Sequence, residues 1–168
     1  MGLEGRELPL VAGLAWMLTP EGHHGLGDLV LATWLARFNV PYKASGSVSV
    51  RLEETRRDLT GGTRADLVMR VGRSCVLVEA KVYSTDHHAQ CDRLARLWAS
   101  ERPALVYLTR WGEPPADAPT SVDLWHRLAW SDVADMIDVA VQQRRPAAGV
   151  EDFLLTLRAY HGTAGTAS

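Results

Sequence analysis

Two spacings of apolar residues alternate along the chain, and they predict where it forms helices and where it forms strands. Residues 8–18 are apolar nearly all round and rich in Ala and Leu, which predicts a buried helix. Apolar side chains recur at every fourth position within 24–38, which predicts a second buried helix. Pro20 and Gly22 separate the two helices, and Pro41 follows the second.

Shorter apolar runs follow, and their alternation is typical of strands. Residues 47–55, 64–71 and 75–82 are three such runs, and we assign turns to 56–62 and 72–74 between them. Because the links are short, these three strands are predicted to form an antiparallel meander.

The second half of the chain returns to helical spacing around further strands. We expect a helix over roughly 87–101, a strand at 104–109, a Pro-rich loop at 112–121 and a shorter strand within 122–130. Two helices close the chain, one capped by Ser131 and one over 150–160. The order predicts an α/β fold with a mixed central β-sheet flanked by helices, as one domain over residues 1–162 with a flexible tail at 163–168.

The third predicted strand contains two charges inside an apolar run. Residues i and i+2 of a strand share a face, so Glu79 and Lys81 point together while Val78 and Ala80 point to the other side. If the hairpin turns around Gly72-Arg73, the paired residue numbers sum to about 145. Asp66 on the preceding strand then lies beside Glu79 within one residue, and neighbours across strands are ~5 Å apart.

Two adjacent carboxylates repel each other unless a positive charge lies between them. Mg²⁺ or Mn²⁺ suits this pair, because such an ion binds through one or two carboxylates and keeps several waters. A lysine nearby could orient or deprotonate a metal-bound water, or stabilise charge at a phosphorus centre. These residues therefore favour hydrolysis of a phosphodiester by a metal-activated water.

The alternative interpretation is an ordinary ion pair between Glu79 and Lys81 at an exposed strand end. The apolar residues before Glu79 weigh against it, because burying unpaired charges is costly. A zinc site using His87 and Cys91, which are four residues apart, is a further hypothesis, but the sequence indicates no fourth ligand.

Composition limits the class of protein and its setting. The net charge is −2, so the chain has no overall basic field for a polyanion, although a local basic patch would suffice. Two cysteines do not make a disulfide framework, and we expect a reducing, cytoplasmic setting. We expect no signal peptide and no membrane span.

The segment 64–90 resembles the core of the PD-(D/E)XK nuclease superfamily. It has an Asp on one strand, a short hairpin, and a hydrophobic strand that leads into E-x-K as Glu79-Ala80-Lys81. Residues 24–27, His-Gly-Leu-Gly, are similar to a turn between two N-terminal helices in one prokaryotic branch of that superfamily, and the resemblance covers about residues 7–98. It implies a restriction-endonuclease-like core.

The resemblance also implies roles for individual residues. Asp66 and Glu79 match the metal-binding carboxylates, Lys81 the catalytic lysine, and Gln90 a glutamine on the following helix. An acid on the first helix often completes the metal site.

For that third acid, Glu7 is the candidate in register, although Leu10-Val11 replaces the His-Ser that usually follows the acid. Glu53, at the end of the first strand, is the other candidate.

Basic side chains near Asp66 are candidates for contacting a substrate. Arg56, Arg57 and Arg64 precede it and could contact phosphates, although such charges usually form a solvated face. His24 is assigned either to packing the turn between the first two helices or to substrate contact.

The function that the resemblance implies is a metal-dependent nuclease acting on nucleic acid, with DNA as the first candidate. The sequence shows no added DNA-reading segment, so specificity is expected to come from a homodimer, from a partner protein, or to be low. The alternative is an inactive PD-(D/E)XK module that binds nucleic acid or serves in assembly.

Overall fold

The computed structural model describes residues 7–81 and 89–162, with side chains over 9–81 and 89–160. The helices are α1 (Glu7–Leu18), α2 (Leu29–Arg37), α3 (Gln90–Leu97), α4 (Trp130–Gln143) and α5 (Val150–Gly162). The strands are β1 (Val48–Asp58), β2 (Gly61–Val71), β3 (Ser74–Ala80), β4 (Ala104–Thr109) and β5 (Trp125–Ala129). Short 3₁₀ turns cover Ala99–Glu101 and Val122–Leu124.

The five strands form one mixed sheet in the order β1-β2-β3-β4-β5. Strands β1, β2 and β3 are antiparallel neighbours, as the short predicted links required. Strands β3, β4 and β5 run parallel, with α3 in the connection between β3 and β4. The predicted α/β class with a mixed sheet flanked by helices is therefore confirmed.

The sheet separates two apolar cores. Helices α1, α2, α4 and α5 cover one face, where they pack on side chains such as Val78 and Leu108. Helix α3 and the segment around Ala118 cover the other face, where they pack on Leu77 and Tyr107. Strand β3 is buried on both sides because it lies at the centre of the sheet. No helix within 7–81 or 89–162 is long and apolar enough to cross a membrane.

Several predicted boundaries were wrong for local reasons. The turn assigned to 56–62 is limited to Leu59 and Thr60, because the Asp58 side chain accepts the Thr60 N–H at 2.8 Å and the strands continue on either side. Helix α4 starts at Trp130, so Ser131 is not its cap. The Asp132 carboxylate instead accepts the Ala129 N–H at 2.9 Å.

Other predicted boundaries differ less from those observed. Strand β3 ends at Ala80, and the predicted 87–101 helix is observed as α3 followed by a 3₁₀ turn. The predicted tail, 163–168, lies outside the described residues.

His24 fixes the turn between α1 and α2. Its side chain is fully buried, its Nε2 donates to the Thr19 carbonyl at 2.8 Å, and its Nδ1 accepts the Leu26 N–H at 3.1 Å. The ring also meets Trp16 edge-on, and the His24 carbonyl accepts the Ala147 N–H from the segment before α5. Both ring nitrogens are thus used inside the fold, so the structure supports the packing role and not substrate contact.

We expect His24→Ala to destabilise the protein by about 2–4 kcal/mol, because it leaves the Leu26 N–H without its acceptor, removes one of the two donors to the Thr19 carbonyl, and removes the ring contact. The neighbouring His23 is exposed, with a φ of 59° that asparagine tolerates, so His23→Asn is the matched control. Urea unfolding of both variants measures the difference. Equal stability of the two variants would contradict the role assigned to His24.

Candidate functional site

Asp66 and Glu79 meet where β2 separates from β3. The last pair between these strands is Leu67 with Val78, which confirms the predicted sum of 145. The same sum assigns Asp66 to Glu79, one residue beyond this last pair. The Asp66 carboxylate accepts the Ala80 N–H at 2.9 Å through Oδ2. A side-chain oxygen thereby takes the place of the backbone carbonyl that an uninterrupted ladder would supply.

Lys81, directly after β3, contacts Glu79, and its charge also acts on Asp66. Its Nζ donates to Glu79 Oε1 at 2.7 Å and to Gln90 Oε1 on α3 at 3.1 Å. Its own N–H donates to the Leu108 carbonyl of β4 at 2.8 Å, which fixes the backbone here although the strand has ended. The structure thus brings together the four residues that the sequence singled out as catalytic: Asp66, Glu79, Lys81 and Gln90.

The cluster is almost closed to solvent. The Glu79 side chain is 1% exposed and that of Lys81 is 12% exposed. This excludes the alternative of an ordinary ion pair at an exposed strand end. Glu79 Oε2 has no hydrogen-bond partner among the described residues. A buried carboxylate oxygen without a donor is costly, and in native structures such an atom commonly marks a bound water or ion.

Burial raises the pKa of both carboxyl groups. Burial, together with the neighbouring Asp66 charge, raises the pKa of Glu79 to about 8. Burial also raises the pKa of Asp66, although the Ala80 N–H and Lys81 oppose the shift. The pair therefore holds a proton more tightly than free carboxyl groups do.

The pKa of Lys81 is raised because its carboxylate partners outweigh the effect of its burial. Burial disfavours the ammonium, but the carboxylates, Glu79 foremost, hold the pKa of Lys81 above its ordinary value. Lys81 is thus a fixed positive charge at neutral pH.

Glu53 does not join the cluster. It lies opposite Asp66, but its φ of 56° interrupts the pairing between Leu52–Leu67 and Glu54–Ala65. Its side chain is 46% exposed and pairs with Arg64 at 3.3 Å. The left-handed backbone reverses the alternation of β1, which is why the predicted facing of Glu53 was wrong and Glu54 faces α3 instead.

Arg56 belongs to a separate charge cluster on the α3 face. It pairs with Glu101, donates to the Leu97 carbonyl at 3.1 Å and lies over the Trp98 ring. Arg70 completes this cluster, donating to both Glu54 oxygens at 2.8 Å and to Glu101. With its guanidinium used in this way, Arg56 is a structural residue and not the phosphate contact that we predicted.

The remaining predicted residues are placed less directly. Arg64 lies at the rim, 57% exposed, and its charge acts on Asp66. Arg57 is exposed on the β1–β2 hairpin, opposite Gly62. The Glu7 side chain and His87 lie outside the described residues, so the third-acid role of Glu7 and the zinc hypothesis stay predictions. Cys91 is buried, as is Cys75, and both are free thiols.

The sequence analysis missed Asp117, in the segment 110–121 that follows β4. Its side chain is buried, with both carboxylate oxygens unpartnered among the described residues, and its charge acts on Lys81. A signal was present: a helix was predicted between the strands at 75–82 and 104–109, strands joined in this way usually run parallel, and the carboxyl ends of parallel strands meet at one edge of a sheet. An acid after β4 could therefore have been assigned to the same edge as Lys81.

The fit of a divalent cation rests on two carboxylates. Asp66 and Glu79 offer oxygen ligands of the kind that Mg²⁺ and Mn²⁺ prefer, and no N–H or ammonium of the described residues donates to Glu79 Oε2. Across 7–81 and 89–162, no group of three or more His, Cys, Asp and Glu side chains could hold a metal ion. The site therefore suits an ion that keeps several waters, not one enclosed by protein ligands.

Comparison with protein-family models, curated proteins and solved structures finds no match to this chain.

Stability should fall as pH rises through the range in which Glu79 ionises. A folded pKa of about 8, against an ordinary 4.5, means that the stabilisation from the bound proton is complete below pH 4.5 and is lost by about pH 8. Glu79→Gln mimics the protonated side chain, so its stability relative to the wild type should grow with pH over this window. The slope is at most about 1.4 kcal/mol per pH unit. Urea unfolding from pH 5 to 9, with chelator present, measures it.

Glu21 is exposed and provides the matched control. The stability of Glu21→Gln should run parallel to that of the wild type at every pH. A Glu79→Gln curve that also runs parallel to the wild type would contradict the raised pKa of Glu79.

Proposed function

We propose that this protein is a divalent-metal-dependent nuclease of the PD-(D/E)XK type, which hydrolyses phosphodiester bonds of nucleic acid, with DNA as the first candidate substrate. The observation that carries the proposal is the convergence of Asp66, Glu79 and Lys81 in one buried cluster where β2 separates from β3. A mixed sheet with helices on both faces supports a restriction-endonuclease-like core.

Asp66 and Glu79 would hold Mg²⁺ or Mn²⁺. Bound there, such an ion would supply an activated water and a positive charge next to the scissile phosphate. Ligand carboxylates must be ionised, and the raised pKa values of both acids show that the protein alone does not stabilise them in that form. A cation would compensate the charge that Lys81 leaves uncompensated.

Lys81 is better suited to stabilising charge than to taking a proton. Because its pKa is raised, it remains an ammonium at neutral pH and is a poor general base. Held between Glu79 and Gln90, it would act as an oriented positive charge for the oxygens that become negative at phosphorus. Gln90 acts through Lys81, so it is a positioning residue.

The exposed arginines outside the cluster are the candidates for contacting phosphates. Arg64 lies closest to Asp66 and its pairing with the exposed Glu53 is solvent-screened, so a phosphate could replace that partner. Arg57, also exposed, could contact a phosphate further along the hairpin.

One observation favours a second candidate function, an inactive module that binds nucleic acid. Glu79 is 1% exposed, so a phosphate cannot reach its carboxylate without movement of the residues that cover it. If the residues that bury Glu79 do not move, the protein could still bind nucleic acid through its surface arginines. The nuclease requires a bound metal ion and Lys81 for cleavage, whereas the inactive module binds nucleic acid without requiring either.

The purified protein is expected to cleave nucleic acid with Mg²⁺ or Mn²⁺ and to lose that activity with EDTA. Lys81→Met and Glu79→Gln should each lower the cleavage rate at least about 10²-fold, because each removes a group that stabilises charge in the transition state. Plasmid, linear duplex, single-stranded DNA and RNA are compared as substrates by gel assay.

Lys43 is an exposed lysine, so Lys43→Met controls for the loss of one positive charge. Equal loss of activity in Lys43→Met and Lys81→Met would contradict the role of the cluster. Binding without cleavage of any substrate, at any metal concentration, would establish the inactive module instead.

A further inference from the structure

The end of the segment 110–121 is held to α3 by the carboxylate of Asp92. Asp92 accepts the Ser121 N–H at 2.9 Å and the Ser121 hydroxyl at 2.6 Å, and also the Thr120 N–H at 3.2 Å. Ala118, 1% exposed, packs into the core beneath α3 together with Cys91. These contacts to one helix thus define the position of Asp117, which directly precedes Ala118.

Asp117 is a buried acid that lacks a strong hydrogen-bond donor among the described residues, since the side-chain donor beside it is the Cys91 thiol. It is 4% exposed, and neither carboxylate oxygen has a hydrogen-bond partner among the described residues. The Cys91 thiol is close enough for Asp117, after burial itself, to raise the thiol pKa, and the charge of Asp117 also reaches Lys81. A thiol is a weak donor, so it does not compensate a buried carboxylate.

The charges around the cluster do not balance. Three carboxylates, those of Asp66, Glu79 and Asp117, surround one ammonium within the described residues. Arg64 at the rim is already paired with Glu53. Fully ionised, the described residues of the cluster therefore carry an excess of two negative charges, which is the charge that one divalent cation neutralises.

Asp117 and Glu79 both carry buried oxygens that lack a strong donor among the described residues, but they come from different elements of the fold. Glu79 projects from the sheet, and Asp117 comes from the segment that lies over α3 and the sheet. No three such side chains of the described chain could ligate one ion together. A water that is bound to an ion on Asp66 and Glu79 could instead bridge to Asp117.

We propose that Asp117 is an outer-sphere carboxylate of a divalent-cation site formed by Asp66 and Glu79, accepting a hydrogen bond from a water on the ion. The inference rests on the proposed function. It adds a positioning residue that comes from the loop after β4. Partners of this kind typically contribute 10–100-fold to metal affinity.

Calorimetric titration of the full chain with Mn²⁺, in the absence of nucleic acid, tests the proposal. We expect Asp117→Asn to bind Mn²⁺ at least about 10-fold more weakly than the wild type. Asp123 is an exposed aspartate in the 3₁₀ turn that follows, and Asp123→Asn should bind like the wild type. Glu79→Gln should lose most of the binding.

The outcomes separate the two proposals. If Asp117→Asn binds like the wild type while Glu79→Gln does not, the role of Asp117 is overturned and the metal site stands. If the wild type binds no Mn²⁺, both proposals fail. Equal weakening by Asp117→Asn and Asp123→Asn would also overturn the inference, because it would reflect net charge alone.

A second measurement does not depend on a variant. Crystals of the wild-type protein soaked in Mn²⁺ should show the ion bonded to Asp66 and Glu79 by its anomalous signal, with a water between it and Asp117. An ion bonded to Asp66 and Glu79 with no water reaching Asp117 would overturn the inference, whether or not the asparagine variant folds.

Discussion

Beyond the Leu67–Val78 pair, β2 and β3 are no longer paired, and the Asp66 carboxylate accepts the Ala80 N–H that a backbone carbonyl would otherwise accept. This substitution holds the end of β3 in place and satisfies a buried donor. It also leaves a carboxylate at the point where Glu79 turns into the space beneath α3. The candidate site therefore depends on one strand separating from its neighbour at a defined residue.

The separation coincides with irregular backbone on the next strand. Glu53 has a φ of 56° directly opposite Asp66, which costs energy for a residue other than glycine. The change of facing sends Glu54 to the α3 side, where Arg70 and Trp98 donate to it. The strain at Glu53 thus accompanies both the open end of the β2–β3 ladder and the formation of the arginine cluster.

Periodic features of the site could be predicted from the sequence, and features set by tertiary contacts could not. A two-residue turn at Gly72-Arg73 determines the register, and alternation determines the face, so the meeting of Asp66 with Glu79 and Lys81 followed from counting. The facing of Glu53 depends on one left-handed residue, which alternation cannot show. Asp117 lies where it does because Asp92 holds the segment after it, a contact 29 residues apart in sequence between Asp92 and Ser121.

Two charge clusters lie on the same side of the sheet, one around Arg70 and one around Lys81. The difference between them makes the Lys81 cluster a functional candidate. In the first, Glu54 and Glu101 face Arg56 and Arg70, so the charges balance, and the pKa of Glu101 is lowered to about 2, chiefly by Arg70. In the second, three carboxylates face one ammonium, that of Lys81, within the part of the chain that the structure describes, and the pKa of Glu79 is raised to about 8.

The first cluster is therefore complete with protein groups, as expected of a structural network. The second would gain stability from a further positive charge, because its more deeply buried acids are not balanced in the same way by the described residues. Such a cost is commonly found at functional sites, where the missing charge is supplied by a ligand. The contrast between the two clusters is the physical argument for a cation at Asp66 and Glu79, and it does not depend on any likeness to another protein.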